Sequence, residues 1–249
     1  MRRRIAKMMI ALLGISLVIL VSSFAGQLSL TTRADTQGDT SPSVYLASYD
    51  RSSGLSTTVG RNQIIPAGSM TVWFVADNLS STAPTPMSGP GQILQRGETI
   101  SLTNGTSTWY VTEYWSLASQ GGTGWRFSIS SPALIQDEFY ILTNAAGFDS
   151  RSVSSNPASI SGNHRGELII ANAMFMPDTG QCPNNPATQN GFQLDTNLCF
   201  NRSGESGGML QSSESGIADA QSPTSVGFSW TVNGTSLIIA DGVTSQRNA

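Results

Sequence analysis

The hydrophobic pattern of this chain changes character once. Met8 to Ala25 is a run of 18 nearly all apolar residues, preceded by Arg2, Arg3, Arg4 and Lys7 and followed by no charge until Arg33. Beyond position 40 helical periodicity gives way to alternation of period two, which sends successive side chains to opposite faces of a strand. SMTVWFVA (69–76) puts Met70, Val72, Phe74 and Ala76 on one face. STWYVTEYWSL (107–117) sets Trp109, Val111, Glu113 and Trp115 against Tyr110, Thr112 and Tyr114. SVYLASY, GWRFSIS, DEFYILT, GELIIANAMFM, GFSWTV and TSLIIA read as further strands, with Gly, Pro, Ser and Asn clusters between them. Many short strands separated by turn residues predict an all-β fold. The expectation is an antiparallel β-sandwich, Ig-like or jelly-roll-like, preceded by one N-terminal hydrophobic helix.

Local turn chemistry sharpens this. Asn-Gly stands between strand-like runs twice, and a two-residue type I′ turn needs φ > 0 at both positions, which Asn and Gly tolerate best. Hairpin turns are therefore expected at Asn104-Gly105 and Asn233-Gly234. The Ser- and Gly-rich residues 201–224 read as a long surface loop, with GIADAQ as a short helical turn. Three regions follow: residues 1–25 as signal peptide or N-terminal membrane or filament anchor helix, 26–42 as a polar connector, and 43–249 as an extracellular β-sandwich domain.

The first region sets the compartment. A secretory core is usually about 7–15 apolar residues and a bilayer span about 20, so this run lies between them. Ser23-Phe24-Ala25 puts small residues at −3 and −1 of a leader-peptidase site before Gly26. Cleaved or kept, the cations hold the N-terminus in the cytoplasm and direct the rest outward. In that oxidising setting Cys182 and Cys199, the only cysteines, are expected to form a disulfide. They enclose PNNPATQNGFQLDTNL, which reads as irregular, and closing such a loop would stabilise by about 3 kcal/mol. One histidine and two cysteines fall short of a four-ligand zinc set.

Composition excludes more than it selects. Charged residues make up 12% of the chain, the net charge is −3, and Lys7 is the sole lysine. No Schiff-base lysine, phosphate-loop lysine or lysine cross-link is available to the exported part. Nine scattered arginines from Arg33 onward form no basic patch, so nucleic acid is not an expected partner. No cofactor is expected. DTQGD (35–39) matches no EF-hand spacing.

Three kinds of chemistry remain to be weighed. His164, the only histidine, sits in the turn-like SGNHRGE with no nucleophile elbow in the chain. Paired carboxylates are the better enzyme case, as in many glycosidases. Glu113 shares a face with Trp109, Val111 and Trp115, where apolar surroundings raise a carboxyl pKa. Asp137 and Glu138 are adjacent, so a strand sends them to opposite faces and only one could join it. The plainer reading makes Glu113 a sheet-rim residue or an arginine partner. Tyr110, Tyr114 and Trp125 are candidates for stacking on sugar rings, against ordinary packing of the aromatic cluster they form with Trp109 and Trp115. Four sequons, at Asn78, Asn104, Asn201 and Asn233, are candidate glycosylation sites.

The short basic leader, the hydrophobic segment, the β-rich remainder and the Cys182–Cys199 loop together resemble a type IV pilin or pseudopilin in outline. The Gly-Phe processing site with Thr-Leu-x-Glu after it, found in bacterial prepilins, is absent, and the first glutamate is Glu98. RRRIA-K resembles an archaeal-type processing site loosely. The expectation is an exported cell-surface structural or adhesive protein, a filament or surface-layer subunit, rather than an enzyme. Its partners would be further copies or other surface proteins, glycans, and the membrane if the first segment is kept. The alternatives are a secreted carbohydrate-binding module and a glycoside-type hydrolase.

Overall fold

Period-two alternation has become strands throughout. The computed structural model describes residues 44–78, 85–87, 94–104, 107–117, 122–161, 166–200, 208–218 and 223–245. In chain order these carry β1 (Tyr45–Ile65), β2 (Met70–Asp77), β3 (Thr85–Met87), β4 (Gln95–Asn104) and β5 (Ser107–Leu117). There follow β6 (Gly122–Thr143), β7 (Ala145–Ser155), β8 (Ala158–Ile160), β9 (Glu167–Pro177) and β10 (Ala187–Thr188). The last five are β11 (Gln193–Phe200), β12 (Met209–Ala218), β13 (Thr224–Val226), β14 (Phe228–Ser229) and β15 (Gly234–Ser245). One sheet runs β1-β6-β2-β5-β4 with β3 also on β6, a second runs β11-β12-β9-β15-β7, and β10-β14 and β13-β8 form small pairs. Every pairing among the described residues is antiparallel. The all-β, antiparallel expectation holds. The expected N-terminal helix, the connector 26–42, residues 35–39, His164 and Asn201 lie outside the described residues.

One apolar cluster draws on both large sheets. Val72, Phe74 and Ala76 of β2, Trp109 and Val111 of β5, and Tyr140 and Leu142 of β6 join Ile170 and Met174 of β9 and Ile239 and Val243 of β15. Strand β9 is buried along its whole length. Leu168, Ile170, Met174 and Met176 enter that cluster, while Ile169, Ala171 and Ala173 enter a second one with Phe192, Val226 and Phe228. A strand covered on both faces reads as a continuous apolar run rather than an alternating one, which is why GELIIANAMFM stands out in the sequence.

The face assignments made from alternation are found in β2 and β5. Trp109 and Val111 are in the cluster shared by the sheets and Trp115 packs against it. GWRFSIS and DEFYILT prove to be parts of the single strand β6. The β4–β5 hairpin is present, but its register closes on Asn104↔Ser107, so Asn104 belongs to the last ladder pair.

The second hairpin is corrected. Strand β14 pairs with β10, and β15 pairs with β9 and β7, so the runs flanking Asn233-Gly234 do not pair with each other. Neither Asn233 nor Gly234 is among the residues with positive φ. Insertion of β15 between two distant strands won over the local turn preference. Gly234 is needed for a different reason: a Cβ there would stand 2.3 Å from the Met176 carbonyl oxygen and 2.6 Å from the Phe175 ring. Gly234→Val is therefore expected to lose about 1–3 kcal/mol through overpacking. A thermal melt unchanged from the parent would show that β15 does not enter the sheet so closely.

Two further segments differ from expectation. Residues 201–224 were expected to be surface loop, yet Met209–Ala218 is β12, nine of its ten residues buried, lying between β11 and β9. Gly216, Ile217 and Ala218 of the expected helical turn close that strand, and only Ile217 is exposed. The segment between the cysteines holds β10 and β11 rather than purely irregular chain. The disulfide itself is formed: Cys182 and Cys199 bond with Cα atoms 5.9 Å apart, and neither cysteine is free. Labelling of denatured, unreduced protein should therefore find no thiol, whereas two labelled thiols would contradict the bond.

Candidate functional site

Two polar clusters are buried among strands of both large sheets, one built on Glu113 and the other on Glu138. The first is built on Glu113. Strand alternation turns it to the same side as Val111, and its side chain has no exposure at all. The β4–β5 register slips between Arg96 and Thr99, opposite this position. Gly97 lies in that slip, where a Cβ would come within 2.3 Å of Glu113 Oε2, so its lack of a side chain makes room for the carboxylate. The Glu98 amide donates to Glu113 Oε2 over 3.2 Å.

Arg151 reaches in from β7. Its Nη2 donates to both Glu113 oxygens at 2.8 Å and its Nε donates to Asp241 Oδ1 at 2.6 Å. Glu98 stands 3.8 Å from Nη1. The guanidinium lies over the Phe148 ring at 4.7 Å, and Phe148 meets Trp115 edge-on. Asp241 is directly opposite Arg151 in the β15–β7 register. Both carboxyls are fully buried, whereas the Arg151 side chain keeps 28% exposure.

Electrostatics follow from the count. One guanidinium can offset one carboxylate, and here two buried ones share it. Burial, then the neighbouring Asp241, pushes Glu113 up to about 8 against the opposing pull of Arg151. Burial pushes Asp241 up to about 6, again opposed by Arg151.

The second cluster is centred on Glu138. Asn172 Nδ2 donates to Glu138 Oε2 over 2.5 Å, and the Thr196 hydroxyl donates to Oε1. Thr196 also bonds Ser213. Gln211 donates to Asn172 Oδ1 at 3.3 Å and to the Phe74 carbonyl at 3.4 Å. Gln136 donates to Gln211 Oε1 at 3.0 Å and to the Leu198 carbonyl at 3.2 Å. Beside them Tyr140 donates to Asp195 Oδ2. Burial raises Glu138 to about 7, with hydrogen bonds from Thr196 and Ser213 opposing it. These side chains satisfy one another except for Gln136 Oε1, which is buried without a hydrogen-bond partner among the described residues.

The sequence candidates thus divide. Glu113 is joined by Arg151, the partner foreseen only as some arginine, and by Asp241, which no local signal marked. Glu138 goes to the other cluster, and Asp137, buried on the opposite face of β6, joins neither hydrogen-bonded set shown here. Tyr114 retains 1% exposure, so its ring faces are covered. Tyr110 is half-buried, and Trp125 stands opposite Arg61 in the β1–β6 register. Asn78 follows β2 and is half-buried; Asn104 ends β4. Asn233 is exposed beside β15, its carbonyl accepting from the Asp178 amide. No group of three or more metal-ligating side chains is assembled among the described residues. Comparison with protein-family profiles, curated proteins and solved structures finds no match to this chain.

Proposed function

We propose that this protein is an exported structural or adhesive subunit of a cell surface, its two large sheets packed as a β-sandwich. The carrying observation is what the best acid–base candidate does. Glu113 has both oxygens on Arg151, no exposed surface, and a glycine-lined slip that fits its carboxylate. A general acid needs hydrogen-bond reach to a substrate. Here the carboxyl instead ties β5 of one sheet to β7 of the other. The apolar cluster with members from both sheets supports the sandwich. The disulfide and the apolar segment behind four cations support export.

Cell fractionation followed by N-terminal mass spectrometry tests the reading. Material outside the cytoplasm should start at Gly26 if secreted, near Lys7 if processed like a pilin, or at Met1 if anchored. Recovery of the chain in the cytoplasm with both thiols reduced would reject it.

A further inference from the structure

The cluster around Arg151 holds more acid than base. We infer that Glu113, Arg151 and Asp241 form a proton-loaded clasp between the sheets, which closes when the carboxyl pair binds a proton and loosens edge strand β7 when that proton leaves. The inference does not depend on where the protein resides.

Three observations carry it. Glu113 and Asp241 are both fully buried and share the Arg151 guanidinium. Asp241 Oδ2 is buried without a hydrogen-bond partner among the described residues, whereas Oδ1 is on Arg151. A lone buried carboxylate oxygen beside an already paired guanidinium is where a proton is most needed, because an unpaired buried charge is costly. Third, the strands differ in how they are held. β5 lies between β2 and β4, and β15 lies between β9 and β7, while β7 has β15 as its one ladder neighbour in the sheet among the described residues.

The other ionisable groups near the clasp add negative charge. Glu98 from β4 stands 3.8 Å from Arg151 Nη1. Glu167 from β9 accepts from Ser150 of β7, close enough that a Cβ on Gly242 would meet both side chains. Asp149 is also on β7, and Arg96 on β4 is turned to Thr99. Among the described residues Arg151 is therefore the only cation on the two carboxyls, and burial favours their neutral forms, raising Glu113 to about 8 and Asp241 to about 6.

An acid raised on folding stabilises the fold fully below its unfolded value, 4.5 for Glu and 3.8 for Asp, and loses that contribution as pH climbs through the folded value. That loss runs from about pH 4 to 6 for Asp241 and from about pH 4.5 to 8 for Glu113, so the window is about pH 4 to 8. The test uses the full chain, the parent and Asp241→Asn, with unfolding followed between about pH 4 and 9. Asparagine keeps an acceptor for Arg151 but leaves Glu113 as the one fully buried carboxyl on that guanidinium. The folding constant of the parent should fall across the window, roughly tenfold for each unit by which an acid is raised. Asp241→Asn should lose about one proton of that slope and exceed the parent at the alkaline end. Glu138 and Glu214, also buried and raised, act equally in both proteins and cancel in the comparison. Identical slopes in the two proteins would overturn the clasp. Should Asp241→Asn fail to fold, Glu113→Gln makes the same comparison. Amide exchange of the parent, corrected for intrinsic rates, needs no variant: β7 should lose protection at alkaline pH before β9, and equal protection of β7 at both ends of the window would reject the inference.

Discussion

Met209→Asp is expected to cost at least about 4 kcal/mol, enough to unfold a domain of ordinary stability. Met209 opens β12, is fully buried, and belongs to the apolar cluster that draws on both sheets. An aspartate there would place a charge with no partner in an apolar setting, one of the few mechanisms that yields so large a loss. The same substitution in a Ser/Gly-rich surface loop would change stability by less than about 0.5 kcal/mol. Denaturant unfolding of the two proteins separates the cases, because a midpoint within error of the parent would return residues 209–218 to the surface.

Arg151→Met is the second large effect, and its size should depend on pH. Removing one partner of a buried ion pair usually costs about 3–5 kcal/mol, because the remaining charge has no compensation. Two carboxyls remain here, Glu113 and Asp241, both without exposure. The loss should stay near the low end of that range, since Arg151 keeps 28% exposure and water screens part of the interaction. It should be largest at about pH 9, where both acids have lost their protons, and smallest at about pH 5, where Asp241 and Glu113 hold them. A loss that does not change with pH would mean that Arg151 acts by covering Phe148 and not through its charge.

The contrast with catalysis is experimental as well. If Glu113 were a general acid, Glu113→Gln would abolish turnover of a polysaccharide and leave the fold intact. The structural reading expects no turnover in the parent to abolish, and a flatter pH dependence of stability in the variant.

What the sequence determined by itself is local. Alternation placed β2 and β5 and sorted the residues of each into two faces, because successive side chains of a strand point to opposite sides, and an apolar run marked β9. It also placed Glu113 on the Trp109 side of β5, and redox context paired Cys182 with Cys199. Tertiary structure decided the rest. Strand β12 reads as loop because its inward residues are Gln211 and Ser213 where an isolated strand would carry apolar ones. Gln211 is tolerable there because Gln136, 75 residues away, and Asn172, 39 away, bond its amide, and Ser213 because it bonds Thr196. Asn233-Gly234 reads as a turn by composition, but β15 gains more by laddering with β9 and β7 on both sides than a local hairpin could offer. The partners of Glu113 were hidden for the same reason. Arg151 lies 38 residues further along the chain and Asp241 is on the last strand, and no period or spacing links positions that meet only when two sheets share one interior.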